Sequence, residues 1–230
     1  MSNNHIDFAT PADDTERLDR YRRFGGCISA VPLPGFAGAL EAGSMRTIVV
    51  RGGWAVTSAG CLPSVGSRIA DAAGADARAV LRADDGFELA QRFSLHVLRV
   101  DASVHDRIES SSAAARRVGT ALVSAQLAWC EQVLDLLQDY FSARQVGGAS
   151  LAKVATLRHQ LGDAQRQLRL LQEWLHAAGD ASCRLATEIA VFSASLSRLG
   201  GGRSYLSGNL CDAAAMYALL VNLYPGLQHE

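Results

Sequence analysis

The sequence predicts an α+β protein that is mostly α: a small antiparallel β region followed by an antiparallel four-helix bundle. Three observations predict it. Between Gly25 and about Asp101, β-branched or alternating apolar runs are separated by Gly-Gly, Pro and Asp-Asp-Gly breaks. After Ala102 the apolar residues recur at spacings of three and four instead. Short connections then separate the helical stretches, which makes consecutive helices antiparallel neighbours. The expected divisions are an N-terminal tail and short helix over 1–24, a reduced β-domain over 25–102 and a C-terminal bundle over 103–230.

The tail leads into a helical patch around Glu16–Phe24. Candidate strands follow at Cys27–Val31, Arg46–Val50, Trp54–Ser58, Ala77–Arg82 and Phe93–Val100, with a short helix at Ser67–Ala73. Gly52-Gly53 reads as a hairpin turn between two of these strands, because glycine reaches positive φ without penalty. In the bundle, Val118, Leu122, Ala125, Trp129, Val133, Leu136 and Tyr140 make the first apolar stripe. Gly147-Gly148 ends that helix or the turn after it. Val154, Leu157, Leu161, Ala164, Leu168, Leu171 and Leu175 make the second stripe, with Arg158, Gln165, Arg166, Arg169 and Glu173 on its wet side. After a break at Gly179-Asp180, Ser182 is placed to cap the third helix. That helix carries Leu185, Ile189, Phe192, Leu196 and Leu199, and Gly200-Gly201-Gly202 stops it. Asp212–Leu223 supplies the fourth.

Composition narrows the function classes. A chain of 230 residues with 49% hydrophobic residues and a net charge of −1 has the material for a packed core, which argues against disorder. There is no basic excess and no Lys/Arg run interleaved with aromatics, so nucleic acid is not an expected partner. The five cysteines (Cys27, Cys61, Cys130, Cys183 and Cys211) are odd in number and never form a C-x-x-C pair. That spacing speaks against a disulfide framework or a zinc site. The polar start lacks a secretory h-region, and no apolar run reaches the roughly 18 residues a membrane span needs. The expectation is a reduced, cytoplasmic protein with no membrane partner.

The joint after the first long helix reads Tyr140-Phe141-Ser142-Ala143-Arg144-Gln145-Val146-Gly147-Gly148-Ala149-Ser150-Leu151. It resembles the acyl-CoA dehydrogenase pattern Tyr-x-x-x-Arg-x-x-Phe-Gly-x-x-Leu between two helices. Arg198-Leu199-Gly200-Gly201-Gly202-Arg203-Ser204-Tyr205 is similar to that family's Gln-x-x-Gly-Gly-x-Gly-Tyr, and Asp212-Ala213 to the Arg-Asp-Ala that opens its last helix. Gly52-Gly53-Trp54 resembles a hairpin of its middle β-domain. The resemblance spans roughly residues 25–226 and rests on the order of these motifs. It implies that Arg144, Gly201 and Gly202 contact the ADP portion of FAD. The residue types suit that role, since a guanidinium pairs with phosphate oxygens and glycine admits close backbone approach. Read without the resemblance, Arg144 is a solvated charge at a helix C-terminus and the glycines are a helix stop.

The departures from the family pattern are informative. Gly147 replaces its phenylalanine, Ala155 the glutamine that follows, and Ser204 its third glycine. The polar loop that holds the flavin ring in the family is represented only by Leu33-Pro34-Gly35-Phe36-Ala37-Gly38. The family's N-terminal helical domain has no counterpart. Its glutamate base must lie within reach of the substrate α-proton. The two positions where the family puts it fall at about Val118 and at Leu220 or Val221, all aliphatic. Tyr224-Pro225-Gly226 is similar to the family's Tyr-Glu-Gly, with proline for glutamate.

The remaining candidates read as structural. Glu109, Glu131 and Glu188 are surface acids, His96 is a strand histidine, and His105 lacks a second histidine for a metal. Ser110-Ser111-Ser112 is a helix start, and Cys130 a buried small hydrophobe. The resemblance therefore implies a shortened subunit without its own base, catalytic residues none, that completes a flavin-dependent dehydrogenase of an acyl thioester (on CoA or a carrier protein). Its partner would be a homologous full-length subunit, or a second copy in a homodimer. The alternatives are a structural or regulatory homologue without flavin, and a flavin-free enzyme acting on a thioester intermediate.

Overall fold

The computed structural model describes residues 34–42, 54–58, 81–83, 88–100, 112–179, 182–201 and 210–223. These residues are mostly helical, with a small antiparallel sheet. In chain order they form α1 (Phe36–Ala42), β1 (Trp54–Ser58), β2 (Leu81–Ala83), α2 (Glu88–Arg92), β3 (Leu95–Val100) and α3 (Ser112–Ala143). A hairpin of β4 (Gln145–Val146) and β5 (Ala149–Ser150) and a 3-10 turn at Leu151–Lys153 lead to α4 (Ala155–Ala178), α5 (Cys183–Leu199) and α6 (Leu210–Leu223). The expected elements at 16–24, 27–31, 46–50 and 67–73, and the Gly52-Gly53 turn, lie outside the described residues.

The sheet has β3 in the middle and both neighbours antiparallel, in the order β1-β3-β2. Val56 pairs with Val97 and Ser58 with Leu95. Leu81 pairs with Val100. The strands at 54–58 and 93–100 are where the alternation put them, except that Phe93 and Ser94 form the turn that feeds β3. Ser94 has φ 56°, and its N–H donates to Gln91 O at 3.0 Å. That left-handed residue lets the chain leave α2 and reverse directly into the central strand.

α3 carries more than the single apolar stripe expected of it. The predicted stripe is there, with Val118, Leu122, Trp129, Val133, Leu136 and Tyr140 buried. A second row one residue on (Val123, Gln126, Cys130, Leu134, Leu137 and Phe141) is buried as well. The helix therefore packs on two sides, against α1 on one hand and against α4 and α5 on the other. α4 behaves as predicted: Leu161, Ala164, Leu168 and Leu171 are buried, while Arg158, Arg166, Arg169 and Glu173 are exposed. Val154 does not belong to its stripe. It is 44% exposed and sits at the N-cap position, one residue before the helix begins.

The predicted stops are realised in detail. Gly179 closes α4 at φ 72°, with its N–H on Leu175 O. Ser182 caps α5, its Oγ accepting from Leu185 N–H at 3.2 Å. Gly147 (φ 62°) and Gly148 (φ 80°) are the two central residues of the β4–β5 hairpin. Two successive left-handed residues make a type I′ turn, whose twist suits a two-residue hairpin and which glycine adopts without strain. The pair thus serves the turn after α3; the helix itself closes with Arg144 N–H on Tyr140 O.

One segment contradicts the reading of 33–38 as a loop. Residues 36–42 are helical, and Phe36 and Leu40 are fully buried. The Phe36 ring lies 5.5 Å from that of Phe93 and is stacked at 6.2 Å on Tyr217 of α6. The apolar pair Phe36 and Leu40, one helical turn apart, supplies the reason: burying both stabilises the segment far more than a short solvated loop would. α1 thereby joins the sheet, α3 and α6 in one continuous core.

Candidate functional site

The α3–α4 joint holds Arg144, the first of the residues implicated in cofactor binding. α3 places Tyr140 and Arg144 one turn apart, so the guanidinium folds back over the ring at 5.7 Å from its centroid and donates to the Tyr140 hydroxyl. The ring is buried and the arginine exposed. Ser150 ties the hairpin down: its Oγ donates to Phe141 O (2.9 Å) and Ser142 O (3.0 Å) and accepts from Ala152 N–H. Leu151 N–H closes onto Arg144 O at 2.8 Å. The joint is a hydrogen-bonded turn that presents one exposed guanidinium, already engaged by a tyrosine.

Gly201, the second implicated residue, is exposed just beyond the α5 C-terminus with φ 67°. A Cβ there would meet nothing within 4 Å, so the glycine serves the backbone conformation and not a close approach within this chain. Gly202 lies outside the described residues, as do Glu109, His105, Ser110 and Ser111. Arg144 and Gly201 are both exposed, as contact with a bound nucleotide would require. The flavin-ring end does not fit, since Phe36 is turned into the core and α1 offers no polar loop.

The positions where the resemblance places a base are core. Val118 is 1% exposed, Leu220 fully buried and Val221 buried. Glu131 is exposed and Glu188 half-buried. His96 is half-buried in β3 opposite Thr57. Among the described residues there is no group of three or more His, Cys, Asp or Glu side chains suited to a metal ion. Among the same residues, no helix is long and apolar enough to cross a membrane.

A polar cluster that the sequence reading did not single out lies inside the core. Gln126 is fully buried, and its Nε2 donates to Ser193 Oγ at 2.8 Å. Cys130 Sγ, one turn on, is 3.3 Å from the same oxygen, and Ser193 Oγ donates in turn to Ile189 O at 2.7 Å. Ser197 Oγ continues the seam, donating to Ser193 O and to Leu210 O, the first residue of α6. Burial pushes the Cys130 thiol up to about 12, against a smaller opposing effect of the Ser193 hydrogen bond. Burial, and then the neighbouring Cys130, pushes the Tyr217 hydroxyl well above its ordinary range. A thiol so held stays protonated near neutrality and is a poor nucleophile. The available signal was the second row on α3, where Gln126 alone interrupts an otherwise apolar series.

Arg92 of α2 pairs with Asp212 in the first turn of α6 at 2.5 Å. Asp212 is the residue matched to the Arg-Asp-Ala motif; here it links α2 to α6 and also favours the positive end of the α6 dipole. Comparison with protein-family models, curated proteins and solved structures finds no match at any of the three.

Proposed function

We propose that this chain is an acyl-CoA dehydrogenase-like subunit without its own catalytic base, built on an antiparallel four-helix bundle. It completes a heteromeric flavin-dependent dehydrogenase of an acyl thioester, with a homologous full-length chain supplying the base and the flavin-ring contacts. The observation that carries the non-catalytic part is the burial of Val118, Leu220 and Val221, which puts aliphatic core where a carboxylate is required. The flavin part rests on the motif order around Tyr140–Leu151 and Arg198–Tyr205, and on an exposed guanidinium at the joint. FAD, when bound, would supply the hydride acceptor; Arg144, Gly201 and Gly202 would meet only its ADP end.

The second reading is a structural or regulatory homologue that has given up flavin. It is favoured by the Tyr140 hydroxyl and ring, which already engage the Arg144 guanidinium, and by Phe36 at the ring end. FAD titration of the chain alone and with its homologous partner separates the two. The chain alone should bind FAD weakly or not at all. In the complex, Arg144→Ala should weaken binding by about 1.5–3 kcal/mol, the scale of a hydrogen bond to a charged group, and Arg158→Ala should leave it unchanged. Stoichiometric yellow FAD on the isolated chain would end the partner requirement. A complex indifferent to Arg144→Ala would leave the structural reading standing.

A further inference from the structure

Two large aliphatic side chains stand in water on the outward side of α4 and α5. Leu170 of α4 is 64% exposed and Val191 of α5 is 60% exposed. They share one face. The two helices pack on each other with only residues 179–182 between them, so they run in opposite directions. The Arg184 guanidinium lies over the Trp174 ring, 5.6 Å from its centroid, and marks where the helices meet on that face. Leu170 is one turn back along α4 from Trp174, and Val191 is two turns on along α5 from Arg184. Both therefore lie toward the same end of the pair. The half-buried Trp174 extends the apolar surface beside Leu170.

The charges flanking Leu170 have opposite signs. Arg166 is one turn before it and Glu173 nearly one turn after, and both are exposed. A two-fold axis crossing α4 at Leu170 lays the helix antiparallel on its own copy. At a rise of 1.5 Å per residue, Arg166 then falls within about 1.5 Å of the level of Glu173 in the second copy, and the pair occurs twice. A parallel pairing would set Arg166 on Arg166 and Glu173 on Glu173, so the charges select the antiparallel one. Asp163 holds Arg166 within the single chain, but that pair is exposed and weak, and a guanidinium has donors for a second carboxylate. We infer that the outer face of α4, with Val191 of α5 beside it, binds a second copy of this chain about a two-fold axis at Leu170. The face is small on the scale of stable interfaces, so the dimer forms as concentration rises and the dilute chain is monomeric. The surface is independent of the flavin reading, since the helix begins about 22 Å before the axis and the Arg144 joint lies beyond that end.

Sedimentation of the full chain over a wide concentration range tests this. The wild type should pass from monomer to dimer. Leu170→Glu, which sets a charge on each side of the axis, should weaken the dimer by about tenfold or more. Arg166→Glu and Glu173→Arg should each weaken it as well, because each sets like charges opposite one another. Mixed in equal amounts, these two single variants should recover a dimer that contains one of each. Arg158→Glu, the same charge change three turns from the axis, should leave association unchanged, and dilute melts of all four variants should stay close to wild type. A chain that remains monomeric throughout, whatever other protein it binds, overturns the proposal. So does a dimer indifferent to Leu170→Glu, or a mixture of the two charge variants that fails to pair.

Discussion

Two leucines nine residues apart on α4 offer a sharp test of the helical phase. Leu161 is 2% exposed and Leu170 is 64% exposed. Both lie inside the same helix (Ala155–Ala178), so replacing either by alanine changes intrinsic helix propensity almost equally, and slightly in favour of the helix. The difference between the two variants therefore isolates burial. Leu161→Ala removes side-chain carbons buried in the core and leaves a space the surrounding side chains fill only in part, at about 2–5 kcal/mol. Leu170 keeps nearly two-thirds of its surface in water, so its truncation should stay within roughly 0.5 kcal/mol. At about 2–4 °C per kcal/mol for a chain of this length, Leu161→Ala should melt about 4–20 °C below wild type, and Leu170→Ala should be nearly indistinguishable from it. Far-UV circular dichroism melts at matched concentration read both. Equal shifts, or a larger loss at Leu170, would mean that α4 is rotated from the position described.

Three further tests follow from the caps, the hairpin and the buried thiol. Ser182→Ala removes the side-chain acceptor of Leu185 N–H and should lower unfolding free energy by about 1 kcal/mol in urea titration, whereas Ser195→Ala on the exposed face of α5 should not. Gly148→Ala forces a Cβ onto a residue at φ 80° and should cost about 1 kcal/mol, although the space beside it is open; a neutral result would rule out the type I′ turn. The Cys130 thiol has its folded pKa raised above the ordinary 9.0 to about 12, so the unfolded chain loses its proton first. Stability from this group is complete below pH 9 and falls as pH rises from 9 toward 12. Urea midpoints should show that decline, and Cys130→Ala should make it shallower.

The long helices were legible because their signals are local. The stripe on α4 stands against charged residues one and two positions away, Ser182 sits one residue before its helix, and Gly147-Gly148 meets a need for two left-handed residues in succession. What escaped was set by contacts between distant parts. Phe36–Ala42 has only seven residues, too few for a periodic pattern, and its helicity follows from the place Phe36 finds between Phe93 and Tyr217. The pairing of Trp54–Ser58 with Leu95–Val100 joins segments about forty residues apart in sequence, and no local rule selects it. The second buried row on α3 looked like an ordinary flank until helices arrived on both sides. Of the candidate site, the aliphatic character of Val118, Leu220 and Val221 was readable directly. The Gln126–Ser193 bond was not, because it links residues 67 positions apart.

The way α1 and the sheet lean on α3 and α6 also bears on dissection of the chain. Phe36, Val56, Phe93 and Leu95 share their core with residues of α3 and α6. A fragment ending between Val100 and Ser112 would hold the strands but lack the helices that cover Phe36, and the complementary fragment would expose Tyr217. Each piece would carry an uncovered apolar face shaped to the other. Co-expressed as two polypeptides, they should reassemble into a nicked protein with native spectra, while either alone should aggregate or be degraded. Cutting instead at the Gly147-Gly148 turn would leave Ser150 on the second piece and its carbonyl acceptors, Phe141 and Ser142, on the first, so that their hydrogen bonds would help guide the two halves back together.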